Sequence, residues 1–102
     1  MIHSAQAQSS NIPYRITLTD GRGHTWHADK PVADGGADTA PNPMQLVLSA
    51  LGACTAITLQ MYAGRKQWPL TQIDVNLQLN PEGKPADGNQ ITRSITLHGE
   101  LD

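Results

Sequence analysis

The sequence predicts an α+β fold in which an antiparallel sheet packs on one long central helix. Three observations support this prediction. Residues 44–64 form an uncharged run rich in Leu, Ala and Met, which have high helix propensity. Short segments in which apolar and polar residues alternate stand before and after that run, and turn residues separate the members of each pair. A hairpin, a helix and a second hairpin are typical of an α+β domain.

The first hairpin is predicted over residues 14–28. Ile16 and Leu18 lie on one face of the first strand and polar side chains on the other, so this strand should be buried on one face only. A turn with two glycines at 20–23 leads into the returning strand. Residues 1–11 are interpreted as either a flexible arm or an edge strand. A loop rich in Pro and Gly then leads to the helix.

The helix has start and stop signals. Asn42 is a favourable N-cap, and Pro43 fits the first helical position, where no backbone N–H is needed. Arg65 and Lys66 place cations at the C-terminal end of the helix dipole. The run is long enough for a membrane span, but its Gln, Ser, Thr and Gly residues make its hydrophobicity modest. We therefore favour a central core helix and expect no membrane partner.

The second hairpin is predicted from two further alternating segments. Residues 72–79 alternate strictly, residues 80–89 form a polar turn with two Pro and two Gly, and residues 91–98 alternate again. Arg93 interrupts the apolar face of the last strand.

Length and composition predict a single domain over all 102 residues. The net charge of −2, without a basic cluster, argues against a nucleic-acid partner. We recognise no secretory signal, and a single cysteine fits a reducing cytoplasm. His24 and His27 would lie on opposite faces of a strand, so no metal site is expected. The Gly-Gly pair before the helix lacks the Lys and Ser/Thr of a phosphate loop and is interpreted as a flexible connection, and no cofactor is expected.

A helix whose surface is apolar nearly all round must be buried against other surfaces on more than one side. One small sheet in a chain of 102 residues covers only part of it. A second copy of the chain is the simplest source of the missing surface. We therefore expect a homodimer with the two long helices at its centre.

A distinctive pattern runs through the loop and the helix: GGADTAPNP at 35–43, QL at 45–46, ALGACT at 50–55, MYA at 61–63 and Lys66. This pattern resembles the OsmC/Ohr family, and is most similar to its OsmC-like branch, with a likeness that covers residues 14–102. The resemblance implies an intertwined homodimer of α+β subunits. It also implies a thiol-dependent peroxidase that reduces organic hydroperoxides through a reactive cysteine.

By the same resemblance, Cys54 is the peroxidatic cysteine. The alternative is that Cys54 only packs as a small hydrophobic residue, which is the usual role of a lone cysteine in a core helix. Family members add an arginine from an early strand and a carboxylate near the start of the helix. Arg15 is the candidate arginine, and Gln45 stands in the carboxylate's neighbourhood without its charge. Gln45 and Cys54 are about 13 Å apart along one helix, so they meet only across a dimer.

The residues that flank Cys54 on its helix face are expected to bind a small apolar hydroperoxide; they are Leu51, Ile57 and Met61. The family continues into a further helix whose second cysteine resolves the oxidised first one. That part is absent from this sequence, so an active protein would need an external thiol reductant. Two alternatives stand beside the peroxidase: a non-catalytic OsmC-like dimer that binds an apolar small molecule, and a truncated structural relative that pairs with another subunit.

Overall fold

The computed structural model describes residues 3–80, 83 and 88–99, in two compact units, Met1–Leu46 and Val47–Asp102. The elements in chain order are β1 (Ala5–Ser9), β2 (Ile16–Asp20), β3 (Thr25–Ala28), a short 3-10 turn (Val32–Asp34), α1 (Pro43–Lys66), β4 (Leu70–Leu79) and β5 (Ile91–Gly99). All strand pairs are antiparallel. The predicted α+β fold with one long helix is confirmed.

The first unit contains a three-stranded sheet in the order β1-β2-β3. β1 lies at its edge, with Ala5 opposite Asp20 and Ser9 opposite Ile16, so this part of the predicted arm is an edge strand. Met1 and Ile2 lie outside the described residues. β2 begins later than predicted, because Tyr14 has a left-handed backbone with φ of 65° that a strand does not accept.

A buried carboxylate organises the loop between β3 and α1. Asp29 is only 2% exposed. Its Oδ1 accepts the Lys30 N–H at 2.7 Å, and its Oδ2 accepts the Thr39 hydroxyl at 2.7 Å and the Thr39 N–H at 3.0 Å. These hydrogen bonds, with that from the Thr39 hydroxyl strongest, lower the pKa of Asp29 to about 2.

The same loop needs a glycine at position 36. The Gly36 N–H donates to the Pro31 carbonyl at 3.1 Å, which folds the chain back on itself. A Cβ on Gly36 would lie 2.6 Å from the Lys30 carbonyl carbon and 2.7 Å from the Lys30 Cβ. Only a residue without a side chain fits this close approach.

The first turn of α1 is closed by a reciprocal capping box. Asn42 Oδ1 accepts the Gln45 N–H at 2.8 Å, and Gln45 Oε1 accepts the Asn42 N–H at 3.1 Å. Each side chain thus satisfies a backbone donor that the helix itself leaves without a partner. The predicted N-cap at Asn42 is confirmed.

The second unit contains most of α1 and the two-stranded sheet β4-β5. Ile73, Val75 and Leu77 share one face of β4 and are half-buried. Gly52 of α1 is buried, and a Cβ on it would come within 2.9 Å of Leu77 Cδ1, so α1 lies on this face of β4. In the described chain the strands form two sheets rather than the single predicted sheet, because each hairpin pairs within its own unit.

Part of the second predicted hairpin falls outside the description. Residues 81, 82, 84–87 and 100–102 are outside the described residues. The described end of the turn is closed by Asn80, whose N–H donates to the Gln90 carbonyl at 2.7 Å.

Among the described residues, α1 is the one helix that is long and apolar enough to cross a membrane. Length and composition alone are weak grounds for a span, because a core helix of a soluble protein meets the same criterion.

Candidate functional site around Cys54

The part of α1 in the second unit has two apolar faces. The face toward β4 consists of buried or half-buried residues at helical spacing; these are Leu48, Gly52, Thr55, Leu59 and Ala63. The opposite face, which we call the outer stripe, consists of exposed residues spaced alternately by three and four; these are Val47, Ala50, Cys54, Ile57 and Met61. Val47, Ile57 and Met61 are 53%, 56% and 55% exposed. An apolar stripe of this kind is typical of an interface or a ligand-binding surface.

Cys54 lies in the middle of the outer stripe, and its thiol is exposed in the single chain. The expected substrate-binding residues surround it differently. Ile57 and Met61 are exposed on the stripe, whereas Leu51 is half-buried at its margin. The arrangement presents an accessible sulfur between apolar side chains, where an apolar molecule can approach it.

Arg15 is held within the first unit. Its Nη1 donates to the Thr39 Oγ1 at 3.0 Å, and the Thr39 hydroxyl in turn donates to Asp29. Because the only hydroxyl proton of Thr39 goes to the carboxylate, the Thr39 oxygen is left as an acceptor that orients the guanidinium. The role of Arg15 at Cys54 stays a prediction.

Gln45 is part of the capping box of α1, in which its side-chain oxygen accepts a hydrogen bond from the Asn42 N–H. The neutral side-chain amide of Gln45 satisfies a backbone N–H donor at the start of the helix without adding a charge. Its catalytic role also stays a prediction.

Arg93 is the arginine that contacts α1 within the second unit. Its Nη1 donates to the Thr55 Oγ1 at 2.9 Å, and the Thr55 hydroxyl donates to the Leu51 carbonyl at 2.8 Å. Sequence reasoning did not select Arg93 as a site residue, although its interruption of an apolar strand face was the available signal. Among the described residues Arg93 makes no ion pair.

Two further clusters of ionisable residues, centred on the half-buried Asp20 and Asp74, stabilise the hairpins in which they lie. Asp20 accepts the backbone N–H groups of Arg22 and His24 as well as the His24 ring, and these bonds lower the pKa of Asp20. Asp74 accepts hydrogen bonds from the Gln72 side chain and the His98 ring, which lower the pKa of Asp74. Within the described part of the chain, no group of three His, Cys, Asp or Glu residues could hold a metal ion.

Comparison with known families places these features in context. The model of the OsmC-like protein family matches residues 35–102, about two thirds of the chain. No curated protein and no solved structure matched the chain. The matched segment includes the loop from Gly35, all of α1 with Cys54, and both strands of the second sheet. The chain therefore belongs to the OsmC-like protein family.

Proposed function

We propose that this protein is a cytoplasmic thiol-dependent peroxidase that reduces organic hydroperoxides through Cys54. The observation that supports the proposal best is the position of the Cys54 thiol, exposed between apolar residues on the outer stripe of α1. An exposed thiol can react, whereas a buried structural cysteine is inert. Membership of the OsmC-like family is consistent with this chemistry.

The proposed reaction has two stages. The Cys54 thiolate attacks the outer peroxide oxygen; a sulfur–oxygen bond forms as the oxygen–oxygen bond breaks, and the alkoxide leaves and takes up a proton to become an alcohol. Cys54 is thereby oxidised to a sulfenic acid. An external thiol then condenses with it, releasing water and forming a mixed disulfide, and a second external thiol restores Cys54. The reductant comes from outside the sequence, because Cys54 is its only cysteine.

The proposal includes a homodimer built on the outer stripe. Val47, Ala50, Ile57 and Met61 follow a spacing of three and four residues that suits packing against an identical helix. A dimer would cover this apolar surface and enclose Cys54 in a drier environment. Gln45 and Cys54 are nine residues apart on one helix, which is too far for contact within a single chain. In a dimer, Gln45 of one copy could approach Cys54 of the other.

The test is oxidation of Cys54 by a stoichiometric alkyl hydroperoxide, followed by mass spectrometry with a sulfenic-acid trap. We expect one added oxygen on Cys54, faster reaction with an alkyl hydroperoxide than with hydrogen peroxide, and no modification of the Cys54→Ser variant at that position. An unmodified Cys54 in folded protein under excess hydroperoxide would remove the enzymatic proposal.

The second candidate is an OsmC-like dimer that binds an apolar small molecule without turnover. The engagement of Gln45 in the helix cap favours it, because an amide committed to the Asn42 N–H supplies no charge for catalysis. The same oxidation experiment separates the two candidates, since binding alone leaves the sulfur unchanged.

A further inference from the structure

A cavity of about 170 Å³ lies in the second unit, between the C-terminal end of α1 and the start of β4. It is lined from the helix by Gln60 and Gly64, from the connecting segment by Trp68 and from the strand by Thr71, and we call it the helix-end cavity. All four residues are exposed, so a small molecule can reach the cavity from solvent. Gly64 lies about 15 Å beyond Cys54 along the helix axis, so the cavity is separate from the thiol.

The helix end beside the cavity is closed by two backbone hydrogen bonds. The Trp68 N–H donates to the Ala63 carbonyl at 2.9 Å. The Gln67 N–H donates to the Gly64 carbonyl at 3.2 Å. In this motif the residue after the helix is left-handed and usually glycine, whereas here it is Gln67, with φ of 56°. The rings of Tyr62 and Trp68 lie 5.3 Å apart in a T-shaped contact, which holds the indole at the cavity wall.

Two residues that line the cavity also depart from local preference. Gly64 stands inside a helix, where alanine is more favourable, although a Cβ on it would meet nothing within 4 Å. Thr71 is the extra residue of a β-bulge in the pairing of β4 with β5. With the left-handed Gln67, three locally unfavourable features lie at or beside one cavity. Such a concentration is typical of a functional site.

The helix-end cavity suits a small neutral ring. A cavity of about 150 Å³ holds one benzene ring, so a single six-membered ring matches the volume. None of the described residues that line the cavity has an ionisable side chain, so a charged ligand would leave water without a partner of opposite charge. The indole of Trp68 supplies an aromatic surface for the ring.

Two polar side chains supply hydrogen-bonding groups for the ring's substituent. The Gln60 amide makes no hydrogen bond within the described part of the chain, so its donor and its acceptor are both available. The Thr71 hydroxyl donates to the His98 carbonyl at 3.2 Å, which leaves its oxygen as an acceptor. A carboxamide is complementary to this pair, because its carbonyl can accept from Gln60 while its N–H donates to Thr71.

We propose that the helix-end cavity binds a neutral six-membered aromatic ring that carries a carboxamide, with the ring against Trp68 and the carboxamide between Gln60 and Thr71. The site goes beyond the proposed function, because no step of peroxide reduction uses it. Gly64 admits the ring by leaving the helix backbone without a side chain at this point.

The test titrates the full chain with four ring compounds and follows the Gly64 amide and the Trp68 indole N–H by NMR. Nicotinamide is the probe; nicotinate replaces its amide by a charged group, 3-methylpyridine removes the amide, and cyclohexanecarboxamide removes the aromatic ring. Nicotinamide should bind about tenfold more tightly than nicotinate, which has no partner for its charge. It should bind about fivefold more tightly than each of the other two, which lack a hydrogen-bonding group or an aromatic contact.

Variants of the lining residues test each contact separately. Gly64→Leu fills the cavity and should weaken nicotinamide binding about tenfold, whereas Gly64→Ala, the control for loss of the helix glycine, should stay within about threefold of the parent. Gln60→Met keeps the length of the side chain but not its hydrogen bonds, so it should remove the preference for nicotinamide over 3-methylpyridine. With Gly64 as the reporter, Trp68→Leu should remove the preference over cyclohexanecarboxamide and Trp68→Phe should retain it.

The inference is wrong if nicotinamide shifts neither signal in a saturable way, if the four compounds bind equally, or if folded Gly64→Leu binds nicotinamide like the parent. If Gly64→Leu does not fold, Gln60→Met decides, since Gln60 is exposed and its replacement leaves the helix intact. An unchanged preference in that variant refutes the site. Shifts confined to residues of the first unit would place binding elsewhere and would refute it as well.

Discussion

Replacement of Gly36 by Ala tests the close approach that shapes the loop before α1. The added methyl group would lie 2.6 Å from the Lys30 carbonyl carbon, so the two backbone segments must separate. Forcing an extra carbon into a packed site costs about 1–3 kcal/mol. Movement of the Lys30 carbonyl also weakens its hydrogen bond from the Asp38 N–H, now 3.0 Å, at a cost of about 1 kcal/mol. Reduced freedom of the unfolded chain offsets about 0.4–1 kcal/mol, which leaves a net destabilisation of about 2 kcal/mol.

Urea unfolding followed by tryptophan fluorescence measures this loss. Trp26 lies in the first unit and Trp68 in the second, so a Trp68→Phe background leaves the fluorescent reporter in the unit that contains Gly36. Gly64→Ala, read by Trp68 in a Trp26→Phe background, is the control, because a Cβ there meets nothing within 4 Å. It should stabilise α1 by about 0.5–1 kcal/mol. If Gly36→Ala unfolds within about 0.5 kcal/mol of its parent, the inferred close approach is wrong.

Three further predictions concern the dimer, the loop and the helix start. Ala50→Glu should convert the proposed dimer to a particle of 11.0 kDa in sedimentation, because burying an unpaired charge costs several kcal/mol; a parent that already sediments at this mass would refute the dimer. The pKa of Asp29 is lowered from 3.8 to about 2, so its contribution to stability is complete above about pH 5 and is lost as the pH falls through about 2. Asp29→Asn should reduce the pH dependence of the free energy of unfolding over that interval. An unchanged pH dependence would contradict the role of the carboxylate. Gln45→Glu should preserve the capping box and raise the rate of Cys54 oxidation by hydroperoxide; a slower or equal rate would argue against a carboxylate role at this position.

The sequence identified the regular elements because their signals are local. The uncharged run, Asn42 and the cations at its end are sufficient to define a helix from Pro43 to Lys66. Alternation located both hairpins, with boundaries that shifted by one or two residues where the backbone of a single residue, such as Tyr14, departs from a strand. The pattern around Cys54 was also sufficient for the family, which the match over residues 35–102 shows.

Tertiary structure decided which side chains meet. Thr55 and Arg93 are 38 residues apart and Asp29 and Thr39 ten apart, and each pair is joined by a hydrogen bond that no local pattern specifies. The sequence marked Arg93 only as an interruption of an apolar face; the packing of α1 over β4 gave it a partner and left β5 open. Periodicity and capping depend on neighbours within one or two turns, whereas the position of a guanidinium beside a helix depends on how distant segments pack.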